Sequence, residues 1–325
     1  MQYRKIGKWG VKVSEVSLGS WLTHAGTVDE KNSIKQLHYA FEFGINFFDN
    51  ANVYAQGASE SVVGKALKTM KRDAIFLATK VFFPMGEGPN DRGLSRKHVF
   101  EQCNASLKRL GTDYIDLYQC HRFDPEVPME ELVRTMDDLT RQGKILYWGV
   151  SEWSGSQIED AYRVARELNA VPPISNQPCY NMLTRNIETS VLPTCERIGV
   201  GQVVFSPLAQ GVLTGKYVPE KPLPPDSRAA DPRVNVFMMG RNLMANETLE
   251  KVQKLSALAG EIGLTMSQFA LAWCLRHNNV ASVIIGATKP AQIEENIKAA
   301  GLTLSADILE RAEAILANSV AAARS

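Results

Sequence analysis

The stretch Gly44–Gly64, GINFFDNANVYAQGASESVVG, has the order strand, polar loop and helix, and the fold follows from this unit. Apolar residues lead to Asp49 at the end of a short buried strand, the loop presents Tyr54, and Ser59 opens the helix. An aspartate in this place commonly caps or turns the chain, and a loop tyrosine is commonly surface. A structural and a catalytic interpretation of these two residues therefore both remain open.

The same unit recurs along the chain, because eight short apolar runs alternate with segments of helical periodicity. Neighbouring parallel strands need a long crossover between them, and a helix supplies it. The pattern predicts an α/β protein with a (β/α)8 TIM barrel. An open doubly wound sheet is the rival, but eight regular units favour closure. The apolar runs end at Gly19, Asp49, Lys80, His121, Ser151, Gln177, Ser206 and Gly286.

Two further segments complete the predicted architecture. Tyr3–Ile6 and Val11–Val13 predict a β-hairpin that precedes the barrel. A long loop, Gln210–Met244, follows strand 7, and it is interpreted either as a cover over a ligand or as a flexible surface insertion. Neither end of the chain suggests a separate domain, so 1–325 is predicted to be a single domain. The loop region carries the basic residues Lys216, Arg228, Arg233 and Arg241.

Polar side chains recur at or just after the C-terminal ends of the predicted strands. Barrel enzymes place their active sites at this end of the barrel. Simple turns would be satisfied by Gly, Asp or Asn, so the recurrence in one register favours a functional face. The residues concerned are Ser20, Asp49, Lys80, His121, Ser151, Asn176, Gln177 and Ser206.

The composition excludes several classes of function. The net charge is +1, from 36 basic and 35 acidic residues, which provides no overall field to attract nucleic acid or an anionic membrane. No apolar run approaches the roughly 18 residues of a membrane span, and the N-terminus lacks an apolar signal segment. The five cysteines are scattered without metal-ligand spacing. We expect a cytoplasmic protein without a metal site, without nucleic acid and without membrane insertion.

Lys80 favours the catalytic interpretation of Asp49 and Tyr54 over the structural one. A lysine at a strand end is a solvated rim charge, a Schiff-base nucleophile, or a neighbour that lowers the pKa of a phenol. Lowering the pKa of a tyrosine by about two to three units requires about 3 to 4 kcal/mol, which one desolvated ammonium supplies. In that interpretation Tyr54 is a general acid, Asp49 holds Lys80 protonated, and His121 either donates to a carbonyl oxygen or positions it.

Several ordered motifs resemble the aldo-keto reductase superfamily over nearly the whole chain. They include DNANVYAQGASESVVG, GVSEW, SPLAQGVLTGKY and IIGATKPAQIEENI. The resemblance is strongest to the branch that contains the β subunits of voltage-gated potassium channels and their bacterial enzyme relatives. It implies a barrel that binds a nicotinamide dinucleotide without a Rossmann domain, and the sequence has no GxGxxG after its early strands.

The resemblance assigns a role to each matching position. It implies that Tyr54 protonates the carbonyl oxygen, that Lys80 and Asp49 tune it, that His121 orients the substrate, and that NADPH delivers hydride. Lys216 and Arg228 would meet a 2′-phosphate. The residues that the resemblance places in the NADPH/NADP+ site are Ser20, Trp21, Asp49, Ser151, Asn176, Gln177, Ser206, Pro207, Leu208, Gly211, Lys216, Arg228, Gly286, Thr288, Gln292, Glu295 and Asn296.

Three positions depart from the family pattern. Many members have an arginine where this chain has Gln292, so a preference for NADPH over NADH rests on Lys216 and Arg228. Channel subunits have an asparagine where this chain has His121, which favours a working reductase. Glu152 replaces an arginine common in that branch, and it bears on how firmly the cofactor is retained.

The predicted function is NADPH-dependent reduction of small aldehydes or ketones. The alternatives are a redox-sensing, cofactor-binding regulatory subunit and a Schiff-base aldolase built on Lys80. Arg122 and Arg92 could meet an anionic substrate or be ordinary surface charges. The substrate and the oligomeric state stay open, including a homo-oligomer like that of the channel subunits.

Overall fold

A computed structural model describes residues 1–21, 27–232, 234–235, 238 and 242–317. The eight predicted βα units form a closed barrel of eight parallel strands, and the chain order of the strands is also their order around the barrel. The last strand pairs with both the first and the seventh, which closes the sheet. The predicted TIM barrel is confirmed, and the open doubly wound alternative is wrong.

Two strands form the hairpin and eight form the barrel. The hairpin strands are antiparallel, with Tyr3 opposite Ser14, as the sequence predicts. The strands are β1 Tyr3–Lys5, β2 Lys12–Ser14, β3 Val16–Gly19, β4 Phe47–Asp49, β5 Phe76–Val81, β6 Ile115–Cys120, β7 Ile145–Ser151, β8 Ser175–Gln177, β9 Gly201–Phe205 and β10 Val280–Ile285.

Helices pack around the outside of the barrel, and several begin with the residue that the sequence offers as a cap. The Ser95 side chain, for example, accepts a hydrogen bond from the backbone N–H of His98. The α-helices of the described residues are α1 Glu30–Glu42, α2 Ala58–Leu67, α3 Arg96–Leu110, α4 Met129–Arg141, α5 Gly155–Glu167, α6 Val191–Ile198, α7 Asn246–Glu261, α8 Met266–Leu275, α9 Pro290–Ile297 and α10 Ala306–Ala317.

One helix differs from the sequence prediction. The pattern predicts a helix from Arg185, whereas α6 begins at Val191 and only a short 3-10 turn, Asn186–Glu188, precedes it. Pro193 lies in the first turn of α6, where its missing N–H costs nothing. Deeper inside a helix the same proline would remove a backbone hydrogen bond and clash with the preceding turn, so the helix cannot begin earlier.

The barrel interior has an apolar lower layer that the hairpin covers. Side chains alternate between the two faces of a strand, so Phe47 and Phe76 point inward. They pack with Val203 and with the hairpin residues Ile6 and Val13, all fully buried or nearly so. The hairpin therefore closes the N-terminal end of the barrel, and the polar strand ends gather at the opposite end.

The predicted long loop after the seventh barrel strand is present in its described part. It begins with 3-10 turns over Ala209–Thr214 and includes a second 3-10 turn at Arg228–Ala230. Asp226 in this loop lies 3.8 Å from the ammonium of Lys289, which precedes α9 in the loop after the neighbouring strand β10. Arg233 and Arg241, two of the basic residues that the sequence singles out, lie outside the described residues.

Within the described part of the chain, no single helix is both long and apolar enough to cross a membrane. One pair, α7 and α8, meets the length and composition criteria together, but the two helices meet at an angle of 89°.

Candidate active site

Lys80 lies at the centre of a buried polar cluster at the C-terminal end of the barrel. Its side chain is fully buried, and its ammonium donates to Asp49 Oδ2 at 2.6 Å and to the Asn50 carbonyl at 2.7 Å. It donates a third hydrogen bond to the Tyr54 hydroxyl at 3.3 Å. The three ammonium protons therefore each have an acceptor, as a buried cation requires.

Asp49, the last residue of β4, contacts side chains from three other strands at this centre. While Oδ2 accepts from Lys80, Oδ1 accepts from the amide of Gln177 at 2.8 Å and from that of Gln119 at 3.4 Å. Gln119 lies on β6, two residues before His121, which directly follows the strand, so the two side chains point to the same side. The sequence interpretation missed Gln119, although its spacing from His121 was a usable signal.

Tyr54 is mounted on a turn whose backbone is unusual. Ala55 and Gln56 both have positive φ angles, of 48° and 52°, and Gly57 follows with φ of 88°. The φ angle favours glycine at this position, and a Cβ atom at Gly57 would also lie 2.8 Å from the Arg109 side chain and displace it. This turn, with three consecutive positive φ angles, therefore holds the Tyr54 phenol next to the ammonium of Lys80.

A second buried ion pair holds the helix that follows this turn. Glu60, in the first turn of α2, is fully buried and accepts from Arg109 at 2.6 Å through one oxygen. Its other oxygen accepts from the Thr79 hydroxyl at 2.5 Å. Thr79 is the neighbour of Lys80 on β5, so the mount of Tyr54 and the strand that carries Lys80 are fixed to each other.

The pKa of Tyr54 moves in the opposite direction from the one that the sequence predicts. Burial raises the pKa of the phenol above its usual value, and it outweighs the lowering by Lys80 and by Arg122. Asp49 also raises it, because its negative charge lies close to the phenol. Tyr54 is therefore protonated at neutral pH, as a proton donor must be before it acts.

Lys80 keeps its proton as well. Burial lowers the pKa of the ammonium, but Asp49 and Tyr54 raise it by more, and the net pKa lies above the usual value. A Schiff-base nucleophile needs a neutral amine. A lysine with a raised pKa and three occupied hydrogen bonds is unsuited to that chemistry, which counts against the aldolase alternative.

His121 stands beside Tyr54 as a neutral imidazole. Burial, together with the positive charges of Lys80 and Arg122, holds its pKa well below the usual range. The rings of His121 and Tyr54 meet edge to face, with centroids 5.9 Å apart. Nδ1 of His121 is buried and has no hydrogen-bond partner among the residues that the structure describes. A neutral imidazole here can orient a carbonyl oxygen without protonating it.

The ends of β3, β7 and β8 provide further polar groups around this centre. The Ser20 hydroxyl donates to the Asp49 carbonyl at 3.0 Å, and the Ser151 hydroxyl donates to the Gln177 carbonyl at 2.8 Å. Glu152 follows with φ of 59°, and its carboxylate accepts from the backbone N–H of Cys179. Trp21 adjoins Ser20 at the edge of the mouth.

Asn176 is not brought to the cluster. Its amide donates to Gln202 Oε1 at 3.0 Å, and both side chains are fully buried. Gln177, the next residue on β8, points inward to Asp49, so Asn176 lies on the opposite face of the strand. The sequence placed both residues at the strand end, but the register allows only Gln177 to reach the centre.

The loop after β9 contains a run of left-handed backbone. Ser206, Ala209 and Gln210 have positive φ angles, and Gly211 follows with φ of 98°. The Gln210 amide donates to Ser206 Oγ at 2.6 Å and accepts from Arg228. The predicted residues Pro207, Leu208, Gly211, Lys216 and Arg228 thus belong to one continuous loop region.

Lys216 and Arg228 form a cationic edge on this loop. A Cβ atom at Gly211 would lie 3.5 Å from the Lys216 ammonium, so this lysine passes close to the backbone of the turn. Burial lowers the pKa of Arg228. Neither cation has a carboxylate within 4.0 Å among the residues that the structure describes. A partly buried cation without an acidic partner is suited to an external anion.

The remaining predicted cofactor residues lie after β10. Gln292 Oε1 accepts from the backbone N–H of Thr288 at 2.7 Å and from that of Lys289 at 3.3 Å, which orders the start of α9. Gly286 and Thr288 are exposed beside it, Glu295 is half-buried, and Asn296 is buried. The structure places this group at the same end of the barrel as the loop after β9.

A closed parallel barrel with a buried polar cluster at the C-terminal ends of its strands defines the class of TIM-barrel proteins. Within that class the chain belongs to the aldo/keto reductase family, a family of oxidoreductases, which matches residues 15–317. The family resemblance that the sequence motifs suggest is therefore confirmed.

Three similar proteins come from plants and from a yeast. The chain is 44% identical over 321 residues to the "Probable voltage-gated potassium channel subunit beta" of Arabidopsis thaliana, covering 97% of each chain. It is 43% identical over 321 residues to the protein of the same name from Oryza sativa subsp. japonica, again with 97% of each chain covered. It is 44% identical to the "Putative voltage-gated potassium channel subunit beta" of Schizosaccharomyces pombe, covering 97% of this chain and 93% of that protein.

Proposed function

We propose that this protein is an NADPH-dependent reductase that converts aldehydes or ketones to alcohols, with Tyr54 as the proton donor. The observation that carries the proposal is the ammonium of Lys80, which contacts Asp49 at 2.6 Å and the Tyr54 hydroxyl at 3.3 Å in a buried site. An acid, its cationic partner and a balancing carboxylate are the groups that protonation of a carbonyl oxygen requires.

Each residue has a separate task in the proposed mechanism. Tyr54 donates its proton to the carbonyl oxygen as negative charge develops there. Lys80 then stabilises the phenolate, because its ammonium already donates to the phenol oxygen. Asp49 balances the charge of Lys80, and the neutral imidazole of His121 orients the carbonyl. When bound, NADPH supplies the hydride that the carbonyl carbon receives.

The residues around the mouth fit a dinucleotide with a 2′-phosphate. Lys216 and Arg228 are cations without a described acidic partner, and Arg228 is partly desolvated. Ser206, Ala209, Gln210 and Gly211 have positive φ angles, and Gly211 has no side chain to keep a phosphate away from its backbone. Ser151 and Gln177 are the polar side chains that would hold the nicotinamide amide. We also propose that 1–325 forms one domain and works in the cytoplasm on small carbonyl compounds.

The test is the variant Tyr54→Phe. General acids contribute about 10²- to 10⁴-fold to rate, so kcat for aldehyde reduction is expected to fall by about that factor. NADPH binding, followed by quenching of tryptophan fluorescence, is expected to change little, because the ring is kept. A Tyr54→Phe protein that binds NADPH and retains its full reduction rate would rule out this mechanism.

A redox-sensing regulatory subunit is the second candidate, and the potassium channel names of the relatives favour it. Both candidates require cofactor binding, so they differ in turnover. A sensor is expected to hold the cofactor tightly and reduce every member of an aldehyde panel slowly. A reductase is expected to show multiple turnovers with at least one of them, followed as loss of NADPH absorbance.

A further inference from the structure

Arg122 is a cation at the mouth of the candidate site to which the proposed mechanism gives no role. It follows His121 directly after β6 and is half-buried. Its Nη1 donates to the His121 carbonyl at 2.5 Å. A guanidinium has five N–H donors, so this contact fixes its position and leaves most of its donors for another partner.

An aromatic wall connects Arg122 to the proton donor. The guanidinium carbon lies 5.5 Å from the ring centroid of Phe83, and that ring meets the His121 ring edge to face at 4.8 Å. The His121 ring in turn lies 5.9 Å from the Tyr54 ring. Phe82 packs on Phe83 at 5.3 Å and extends the wall. The cation and the reacting groups therefore border one continuous surface.

Arg122 carries a positive charge that no described carboxylate neutralises. Among the described residues, none has a carboxylate oxygen within 4.0 Å of its guanidinium, whereas most of the other partly buried arginines do. The nearby acid Asp124 is engaged elsewhere, because its oxygens accept from the backbone N–H groups of Leu94, at 2.8 Å, and Glu126, at 3.1 Å. A half-buried cation beside a hydrophobic wall is thus left with an unmatched charge.

The positive charge of Arg122 also affects the pKa values of His121 and Tyr54. Burial and Lys80 have the largest effects in lowering the pKa of His121, and the positive charge of Arg122 lowers it further. The same charge lowers the pKa of Tyr54, against the effect of burial. An anion bound beside Arg122 would consequently lie close to the carbonyl that Tyr54 protonates.

We propose that Arg122 binds a carboxylate on the substrate, so that the preferred substrates are aldehydes or ketones that carry a carboxylate next to an apolar or aromatic segment. A carboxylate matches the planar fork of a guanidinium and its single charge. Phe82 and Phe83 supply the apolar surface for the segment between the two functional groups. The inference deepens the proposed reductase function and rests on it.

The test compares substrates that differ in charge but share one ring. The carboxylate set consists of 2-, 3- and 4-carboxybenzaldehyde, which hold the anion at three distances from the carbonyl. The neutral set consists of the three corresponding methyl esters. The variant is Arg122→Gln, and the matched control is Arg92→Gln, which removes an arginine from an exposed position in the loop after β5. The measured quantity is the ratio of kcat/KM for each acid to that for its ester.

For at least one isomer, Arg122→Gln is expected to lower this ratio about tenfold, as loss of a hydrogen bond to a charged group implies. Arg92→Gln is expected to leave the ratio within about twofold of the wild-type value, as for a surface substitution away from the site. Arg122→Lys keeps the charge without the fork and is expected to fall between them. Added salt is expected to reduce the wild-type preference.

Two results would overturn the inference. An equal fall for acids and esters in Arg122→Gln would assign Arg122 to the reacting groups and not to the substrate. Unchanged ratios for all three isomers would show that the guanidinium contacts no substrate anion. Failure of the proposed function is distinct, because the wild-type protein would then reduce neither the acids nor the esters.

Discussion

Two buried ion pairs flank the same strand, and they serve different ends. Lys80 and Asp49 lie inside the barrel, while Arg109 and Glu60 lie outside it and touch the strand through Thr79. Both oxygens of Glu60 accept from side chains of the fold itself. The ammonium of Lys80, by contrast, gives one of its bonds to the hydroxyl of Tyr54. Similar charge pairs therefore contact either the fold alone or the proposed proton donor, depending on the face of β5 on which they lie.

The interior pair should give the largest effect when it is broken. In Lys80→Met the carboxylate of Asp49 is left buried without a cation, which is expected to lower the free energy of unfolding by about 3 to 5 kcal/mol. The reduction rate is expected to fall by about a thousandfold or more, because the phenolate of Tyr54 loses its stabilising charge. Urea unfolding and kcat for an aldehyde measure the two effects.

The double variant Asp49→Asn with Lys80→Met provides the control for that experiment. It removes both charges, so its stability is expected to lie closer to the wild-type value than that of Lys80→Met. Its reduction rate is expected to stay low. A Lys80→Met protein with normal activity would contradict the role given to the interior pair.

The exterior pair should affect stability far more than chemistry. Glu60→Gln leaves Arg109 without its partner, but Arg109 keeps 23% of its side chain accessible, so water relieves part of the cost. The expected loss of stability is about 2 kcal/mol, below that of a fully buried pair. At a temperature where the variant is fully folded, kcat is expected to change by less than about tenfold.

The variant Arg109→Met is the partner of that test, since it leaves Glu60 unpaired and fully buried. It is expected to destabilise more than Glu60→Gln, because no solvent reaches the carboxylate. A loss of activity in Glu60→Gln as large as that in Lys80→Met would erase the distinction between the two pairs.

The smallest expected effect concerns the pH dependence of stability at His121. Its folded-state pKa is depressed, so below about pH 6.5 the unfolded chain binds a proton that the folded protein excludes. The stability contributed by the neutral imidazole is present above that pH and is lost as the pH falls toward the folded-state value. Between pH 7 and pH 5, the wild-type protein is therefore expected to lose more stability than His121→Asn.

Chemical unfolding at several pH values measures this difference. His98 and His277 also have lowered pKa values, mainly through burial, and they contribute equally to both proteins. Parallel stability curves for the wild-type protein and His121→Asn would contradict the neutral buried state of His121.

The fold could be predicted because it depends on local repetition. Each apolar run and each amphipathic segment is contained in the sequence, and eight repeats permit few arrangements other than a barrel. The positions of Asp49, Lys80 and His121 could also be predicted, because the C-terminal ends of parallel strands lie at one end of the barrel. Asn176 shows the limit, since its orientation depends on the register of a three-residue strand, and neighbouring residues in a strand face opposite ways.

The electrostatics of the candidate site could not be predicted in the same way. Burial raises the pKa of Tyr54, whereas the positive charges of Lys80 and Arg122 lower it. The net direction depends on how deeply the phenol is buried, and burial exists only in the folded protein. The pair of Glu60 and Arg109 joins residues 49 positions apart, without any local pattern that connects them. The unmatched charge of Arg122 is likewise visible only when every neighbouring carboxylate has been located.

The hairpin beneath the barrel limits the route by which protons are replaced. Since Ile6 and Val13 close the lower end together with the inward phenylalanines, water cannot approach Tyr54 from below. In the proposed mechanism, the phenol recovers its proton through the same mouth by which the carbonyl compound enters and the alcohol leaves. Reprotonation would then compete with the arrival of the next substrate, and a bulky alcohol that leaves slowly would delay both.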